Sequence, residues 1–331
     1  MATIYDVAQR AEVSAATVSR VLNGHATVDP QLAERVRAAV AELGYRPNAL
    51  ARNLRRSRTS LWAVVISDVG NPFFTSLVRG VEDVAQSSAY SVVLCNSDED
   101  PEKEANYVTV ALAEQMTGVI MSPSGQAEGV QRLLEAGTPV VVIDREVPGV
   151  TVDSVLVDNE HGAAEATAHL LAGGYQRVAC ITGPSTASTA ERRLRGYQKA
   201  LADAGHPYRE ELVRHSDFRE RGGYESMASL LDAAEPLDAV FVGNNLMAVG
   251  ALECLVARGV SVPDQLGIVG FDDLPWADLV SPALTTVGQP TYELGRTAAQ
   301  LLADRIADPE RAPNTVVLKT ELHVRATSHR G

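Results

Sequence analysis

Two hydrophobic rhythms divide the chain of 331 residues. Over roughly the first 45 positions apolar side chains recur at helical spacing; from Leu61 onward they gather in short runs of strand length. Ile4, Val7, Ala8 and Ala11 fall at the spacing of one helix face, which predicts a first helix. A break follows at Glu12-Val13-Ser14, with Val13 free to plug a corner and Ser14 well suited to cap what comes next. A second helix is predicted from about Ala15 to Leu22, with Val18, Val21 and Leu22 facing inward and Asn23-Gly24 closing it. Asp29 can cap a third helix with Pro30 at its first position; Leu32, Val36, Val40 and Leu43 line one face, and Gly44 stops it. Two short helices across a tight turn, buttressed by a third, form a helix-turn-helix.

In the body, Leu61–Ile66, Ser91–Cys95, Gly118–Met121, Val140–Ile143 and Val155–Val157 read as buried strands. A second series follows at Val178–Thr182, Leu212–His215, Ala239–Val242, Gly267–Gly270 and Thr285–Val287. Helical patterns lie between them, such as Phe74–Ala85, Ala163–Leu171, Ala190–Leu201 and Leu246–Ala257. Strand and helix in alternation mean doubly wound parallel sheets. About ten strands exceed one comfortable sheet, so the expectation is an α/β body of two lobes with a cleft between them, behind a three-helix head.

Charge changes this picture. The net formal charge is −13, yet residues 1–60 carry nine arginines against five acids, a balance of +4. The remaining 271 residues carry 20 basic and 37 acidic groups. A basic head on an acidic body is expected when only the head meets phosphate. The outward residues of the second helix, Ala15, Ala16, Thr17, Ser19, Arg20 and Asn23, are small or hydrogen-bonding, with Arg20 able to reach a guanine edge or a phosphate. A bundle with a plain solvated face would more often carry Glu and Lys there. After Tyr45-Arg46-Pro47-Asn48 comes Ala49-Leu50-Ala51-Arg52-Asn53-Leu54-Arg55-Arg56, too short to be helical alone. Leu54 among Arg52, Arg55 and Arg56 suits a minor-groove wedge with phosphate clamps; a flexible basic linker is the other reading of the same residues.

Thr-Ile-Tyr-Asp-Val-Ala at 3–8, Val-Ser-Ala-Ala-Thr-Val-Ser-Arg-Val-Leu-Asn at 13–23 and Gly-Tyr-Arg-Pro-Asn-Ala-Leu-Ala-Arg at 44–52 resemble the lac repressor/purine repressor family. The resemblance implies a homodimer on a palindromic double-stranded DNA operator, with two recognition helices in successive major grooves and a pair of Leu54 side chains levering open the central step. It marks Thr3, Ser14–Thr17, Ser19, Arg20, Asn23, Ala51, Arg52, Leu54 and Arg55 as DNA-binding residues. Some relatives place an arginine where this chain has Gly24-His25-Ala26, so His25 stands in for one groove contact or that contact is lost.

Ligands of doubly wound sheets bind beyond the carboxyl ends of the strands, and those ends carry a consistent chemistry here. Asn71, Phe73 and Phe74 follow the first strand, Ser122 the third, and Asp144-Arg145 the fourth. In the second series Arg193, Phe218, Asn244, Asp272 and Gln289 hold comparable places. Carboxylates, guanidinium forks, amides and aromatic faces together suit a monosaccharide, whose C–H faces stack on rings while its hydroxyls pair with planar polar groups. Each residue also has a structural reading: Asp and Asn after strands cap helices, Phe73 and Phe74 could be core, and Arg193 could belong to a solvated face. The body, residues 61–325, is also similar to the periplasmic sugar-binding proteins of the ribose-binding type, through Asn-Pro-Phe-Phe at 71–74, Asp144-Arg145, Arg193 before Gly196-Tyr197, Phe-Val-Gly-Asn-Asn at 241–245, Val-Gly-Phe-Asp at 269–272 and Gln289. That likeness implies a ribose-like pentose held by those positions, with Ser122 standing where the ribose-binding type has asparagine. It also implies a chain crossing three times between lobes.

The expected organisation is therefore a DNA-binding domain at 1–47, a hinge at 48–60 and an effector-binding and dimerisation domain at 61–331. One lobe would take about 61–158 with 289–318, the other about 159–288 with 319–331. The expected function is a cytoplasmic transcriptional repressor under allosteric control by a small sugar; a nucleobase or nucleoside acting as corepressor is the alternative. Catalysis lacks a foothold: there is no glycine-rich dinucleotide or phosphate loop, no nucleophile elbow and no metal-ligand spacing among His161, His169, His206 and His215. The adjacent Asp272 and Asp273 should point apart along extended backbone. No cofactor or metal is expected. Cys95, Cys180 and Cys254 sit in or beside apolar runs and read as reduced core cysteines. The start lacks a basic and apolar export signal, and no apolar run approaches membrane-spanning length, so no membrane partner is expected either.

Overall fold

The computed structural model describes residues 2–22, 28–45, 59–233 and 236–329. The chain divides into two compact units at Thr59/Ser60. In the first unit, α1 (Ile4–Ala11), α2 (Ala15–Leu22) and α3 (Pro30–Glu42) close on Val7, Val18 and Val36, all fully buried. Thr3 caps α1, with Asp6 answering back to the Thr3 backbone at 2.7 Å. The Asp29 carboxylate caps α3 through the amides of Gln31 and Leu32. The Arg35 side chain ties α3 to the end of α1, donating to the Ala11 carbonyl at 2.6 Å.

The second unit is α/β, with two six-stranded sheets. The first sheet runs β1 (Leu61–Ile66), β2 (Ser91–Asn96), β3 (Gly118–Met121), β4 (Val140–Ile143) and β5 (Asp153–Val157), completed by β11 (Thr315–Leu318), in the order β11-β5-β4-β3-β1-β2. The second holds β6 (Val178–Thr182), β7 (Val213–His215), β8 (Ala239–Val242), β9 (Gly267–Phe271), β10 (Thr285–Gly288) and β12 (Glu321–His323), in the order β12-β10-β9-β8-β6-β7. All pairings are parallel except β10 with β12. The central strands are buried along their length, as parallel strands covered on both faces must be. The strand at Ser91–Asn96 is not buried as its sequence suggests: it lies at a sheet edge, Leu94 is 44% exposed, and only Cys95 is fully covered. An edge strand has a neighbour on one side only, so its apolar run is half-clothed.

The chain leaves the first sheet after β5, returns to it with β11, and ends in the second with β12. The return is secured by two helices, α4 (Pro72–Ser87) and α11 (Thr291–Ala307), counting as α5–α10 the helices that begin at Pro101, Glu128, Asn159, Ser188, Glu220 and Asn245. Glycine sits at both contact points between them: a Cβ at Gly80 would lie 2.2 Å from the Tyr292 carbonyl, and one at Gly295 would lie 1.9 Å from that of Leu77. Backbones can approach that closely only where neither helix carries a side chain at the crossing.

Candidate functional site

The carboxyl ends of β1, β4, β6, β8, β9 and β10 turn toward one cavity in the second unit, with about 480 Å³ of space between atoms, part of it open to solvent. Its walls include Asn71, Phe73, Phe74, Asp144, Arg145, Arg193, Phe218, Asn244, Asp272 and Gln289. These come from both sheets and from positions more than 200 residues apart. Three of them, Asp144, Phe218 and Asp272, have left-handed backbone with φ of +66°, +63° and +69°. Non-glycine residues are held there only where their surroundings over-determine them, and such strain gathers at binding sites.

Several of these side chains serve the fold and the cavity together. The Asn71 Oδ1 caps α4 at the Phe73 amide (2.9 Å) and accepts from Nδ2 of Asn245 (2.9 Å), the first residue of the helix after β8 of the other sheet. Asn244 caps the helix after β8 through the Met247 amide and donates to the Phe218 carbonyl. Phe73 and Phe74 meet edge to face at 4.9 Å and are nearly covered by the first sheet's core, so both the core and the ring reading hold for them. Arg193 does not lie on a solvated face. It is 3% exposed, stacks 3.8 Å above the Phe271 ring, and donates to Asn159 Oδ1 at 2.7 Å and the Gly243 carbonyl at 2.6 Å. Its remaining nitrogen lies 3.8 Å from Asp272 Oδ1.

Burial pushes the Asp144 carboxyl above the ordinary carboxylate range, against the pull of Arg145 and Arg193. Asp272 is raised by the same cause, opposed by Arg193 and by the Gln289 amide that donates to it. Asp273 does point away from Asp272, toward Arg325 and Thr286. Two polar atoms facing this region, Arg145 Nε and Gln289 Oε1, are buried without a hydrogen-bond partner among the described residues. Unmet buried donors and acceptors of this kind suit a polyol bringing its own hydroxyls.

Ser122 departs from its expected place. It is fully buried outside the cavity lining, with its hydroxyl 3.3 Å from Asp144 Oδ2 and 3.5 Å from Ser67 Oγ. It orients Asp144 from behind, because the short serine side chain stops short of the cavity. Sequence reasoning passed over Asp68, Glu99, Thr189, Asp217 and Arg219, which also line the cavity. Asp217 and Arg219 flank Phe218, and Glu99 sits in the loop after β2, so the strand-end rule, applied to every strand, would have found them.

In the first unit, Ala16 and Arg20 on α2 are exposed, and Thr17 and Ser19 are half-covered. Ala15 is not outward as the pattern suggests: it is half-buried against the helical core, in line with Val18. The Ser14 hydroxyl is spent locally on the Thr17 amide (3.1 Å) and hydroxyl (2.9 Å), and Thr3 on its capping box. Arg10, Arg35 and Arg37 are held in ion pairs, whereas exposed Arg20 forms none among the described residues. Asn23, Ala51, Arg52, Leu54 and Arg55, with residues 48–58 of the hinge, lie outside the described residues.

Comparison with known proteins divides along the same line. Residues 3–48 match the model of bacterial regulatory proteins of the lacI family, and residues 167–328 that of a periplasmic binding protein-like domain. Catabolite control protein A of Priestia megaterium is 37% identical over 302 residues, covering 91% of this chain and 91% of its own length. The ribose operon repressor of Halalkalibacterium halodurans is 36% identical over 331 residues, covering 100% of this chain and 98% of that protein. The lac repressor dimer bound to operator and an anti-inducer matches in structure with a TM-score of 0.88 at 28% identity, over 99% of each chain.

Proposed function

The chain belongs to the lacI family of bacterial regulatory proteins, and on that premise we propose that it is a transcriptional repressor whose dimer binds a palindromic operator and is released by a monosaccharide, a ribose-like pentose by preference. The observation that carries the sugar is the convergence of three aromatic rings, paired carboxylates, amides and guanidiniums on one cavity between the sheets. Sugars are recognised by that mixture, whereas a nucleobase asks for a flatter slot with fewer carboxylates. Supporting the DNA role are the exposed face of α2 with Arg20, which forms no ion pair among the described residues, the basic balance of residues 1–60, and the operator-bound relative.

The mechanism we propose is lobe closure. Elements of the two sheets already meet through Asn245 and Asn71, and through the Arg192–Glu146 pair at 2.6 Å. A sugar bridging Asp144, Arg145 and Phe73 to Arg193, Asn244 and Asp272 favours the closed arrangement, since it binds both walls only there. Closure then changes the spacing of the two hinge segments of a dimer, and with it their fit to the minor groove. A thermal-shift screen of common monosaccharides tests the reading, because a ligand of the native state raises the melting temperature. D-Ribose is expected to stabilise the wild type, while Arg193→Ala and Asp272→Ala lose the shift and keep operator binding. Stabilisation by nucleobases instead of sugars would overturn the effector assignment, and parallel loss of operator binding in both variants would place these residues in the fold alone.

A further inference from the structure

The cavity is lined by five carboxylates against three guanidiniums, and every one of those guanidiniums is already engaged. Arg193 is spent on Asn159, the Gly243 carbonyl and the Phe271 face. Arg219 donates to the Asp98 carbonyl across the cleft. Arg145 is the notable case. Its two terminal nitrogens are clasped by one carboxylate, Glu99, at 2.6 Å and 2.5 Å, in the fork-to-fork geometry by which arginine otherwise grips a phosphate. Its first nitrogen also reaches the Pro123 carbonyl. Nε makes no hydrogen bond and lies 3.6 Å from Asp144 Oδ2 in an ion pair.

Glu99 is not placed there by ordinary loop geometry. It and its neighbour Asp98 both have left-handed backbone, with φ of +60° and +55°. Two consecutive non-glycine residues in that region cost free energy that solvent-exposed turns avoid by using glycine. The Asn96 amide holds Asp98 at 2.7 Å, and Ser97 is fixed to the Ile66 carbonyl. The loop thus carries the Glu99 carboxylate from the end of the edge strand β2 across to Arg145, just after β4, and closes the terminal fork of a buried guanidinium in the cavity wall.

Resting on the sugar reading above and deepening it, we propose that Glu99 is a charge-specificity residue: by occupying the fork of Arg145 it reserves the cavity for uncharged sugars and excludes their phosphate esters. A phosphate entering the cavity meets an excess of carboxylates and finds both buried guanidiniums, Arg145 and Arg193, already committed, with only exposed, hydrated Arg219 left to offer N–H donors. A neutral pentose pairs its hydroxyls with the carboxylates and amides of the wall and needs no open guanidinium fork, so the Arg145–Glu99 pair does not bar it. Removing the Glu99 side chain frees both terminal nitrogens of a buried guanidinium and lowers the negative charge of the wall.

Titration calorimetry on the full chain tests this with D-ribose, D-ribose 5-phosphate and inorganic phosphate as probes. The wild type is expected to bind ribose and neither phosphate. Glu99→Ala is expected to gain at least tenfold in affinity for ribose 5-phosphate and inorganic phosphate relative to the wild type, and to change ribose affinity far less. Glu99→Gln, which keeps the shape and one acceptor, should gain less than the alanine variant and supplies the reading if Glu99→Ala does not fold. Binding of ribose 5-phosphate to the wild type as tightly as ribose overturns the proposal, as does a folded Glu99 variant that gains no phosphate affinity. If both variants fail to fold, Glu99 is a structural partner of Arg145 and the proposal is lost. A wild type that binds no sugar sinks the sugar reading alone, because inorganic phosphate still reports on the freed fork.

Discussion

Asp144 and Asp272 set the chemistry of the cavity because both are nearly buried and both face guanidiniums that are themselves committed. Their raised pKa values have a definite sign. Below the ordinary carboxylate range, folded and unfolded chains alike hold the proton, and burial costs nothing. As pH rises through the raised folded values, the folded state comes to bear a charged group that the unfolded state carries more cheaply, and stability falls. On the proposed sugar reading, hydroxyls donating to the ionised oxygens recover part of that loss. Sugar affinity is therefore expected to rise with pH from about 4 upward, level off once both groups are ionised, and be accompanied by proton release. Titrations across that window, in buffers of different ionisation enthalpy, read both quantities; affinity that is flat or falls with pH would contradict the account.

Among the elements, the return of the chain into the first sheet is fastened, beyond the α4–α11 contact, by one fully buried carboxylate. Asp153, at the start of β5, accepts from Arg305 at 2.9 Å, from Arg311 at 3.1 Å and from the Asn314 amide at 2.8 Å. It thereby ties the end of α11 and the approach to β11 onto the sheet. Asp153→Ala removes the shared acceptor and leaves two partly buried guanidiniums without a carboxylate at that point, which is expected to cost about 3–5 kcal/mol. Chemical denaturation checks it, and a loss below about 1 kcal/mol would mean that the cluster behaves as a surface pair. β11 itself is a poorly covered edge with two of four residues exposed, so side-chain burial alone does little to hold it. Its place depends on the Asp153 cluster and on backbone pairing with β5.

For the whole molecule, the proposed coupling between cavity and operator is reciprocal by thermodynamic necessity. If sugar releases the operator, operator DNA must weaken sugar binding by the same factor, typically about 5–150-fold for allosteric coupling. Measuring sugar affinity with and without saturating operator duplex reads that factor, and measuring operator affinity with and without sugar must return the same number. Equal sugar affinity in both conditions would remove the allosteric claim while leaving DNA binding and sugar binding each intact. Tighter sugar binding on the operator would reverse the sign and make the ligand a corepressor.

Local periodicity and capping determined much of this protein without help. The three helices of the head, the strands that carry the cavity and ten of its walls follow from residue spacing, because helix and strand periods are short-range and each strand of a doubly wound sheet delivers its end to the same side. Tertiary structure decided what depends on distant partners. It turned Ala15 inward beside Val18, left Leu94 on an exposed edge, withdrew Ser122 behind Asp144, and seated residues 315–318 beside β5. It also gave Arg145 to Glu99, 46 residues away. An isolated strand-end arginine reads as a free donor; whether its fork is open depends on a carboxylate delivered by another strand, and no local pattern encodes that meeting.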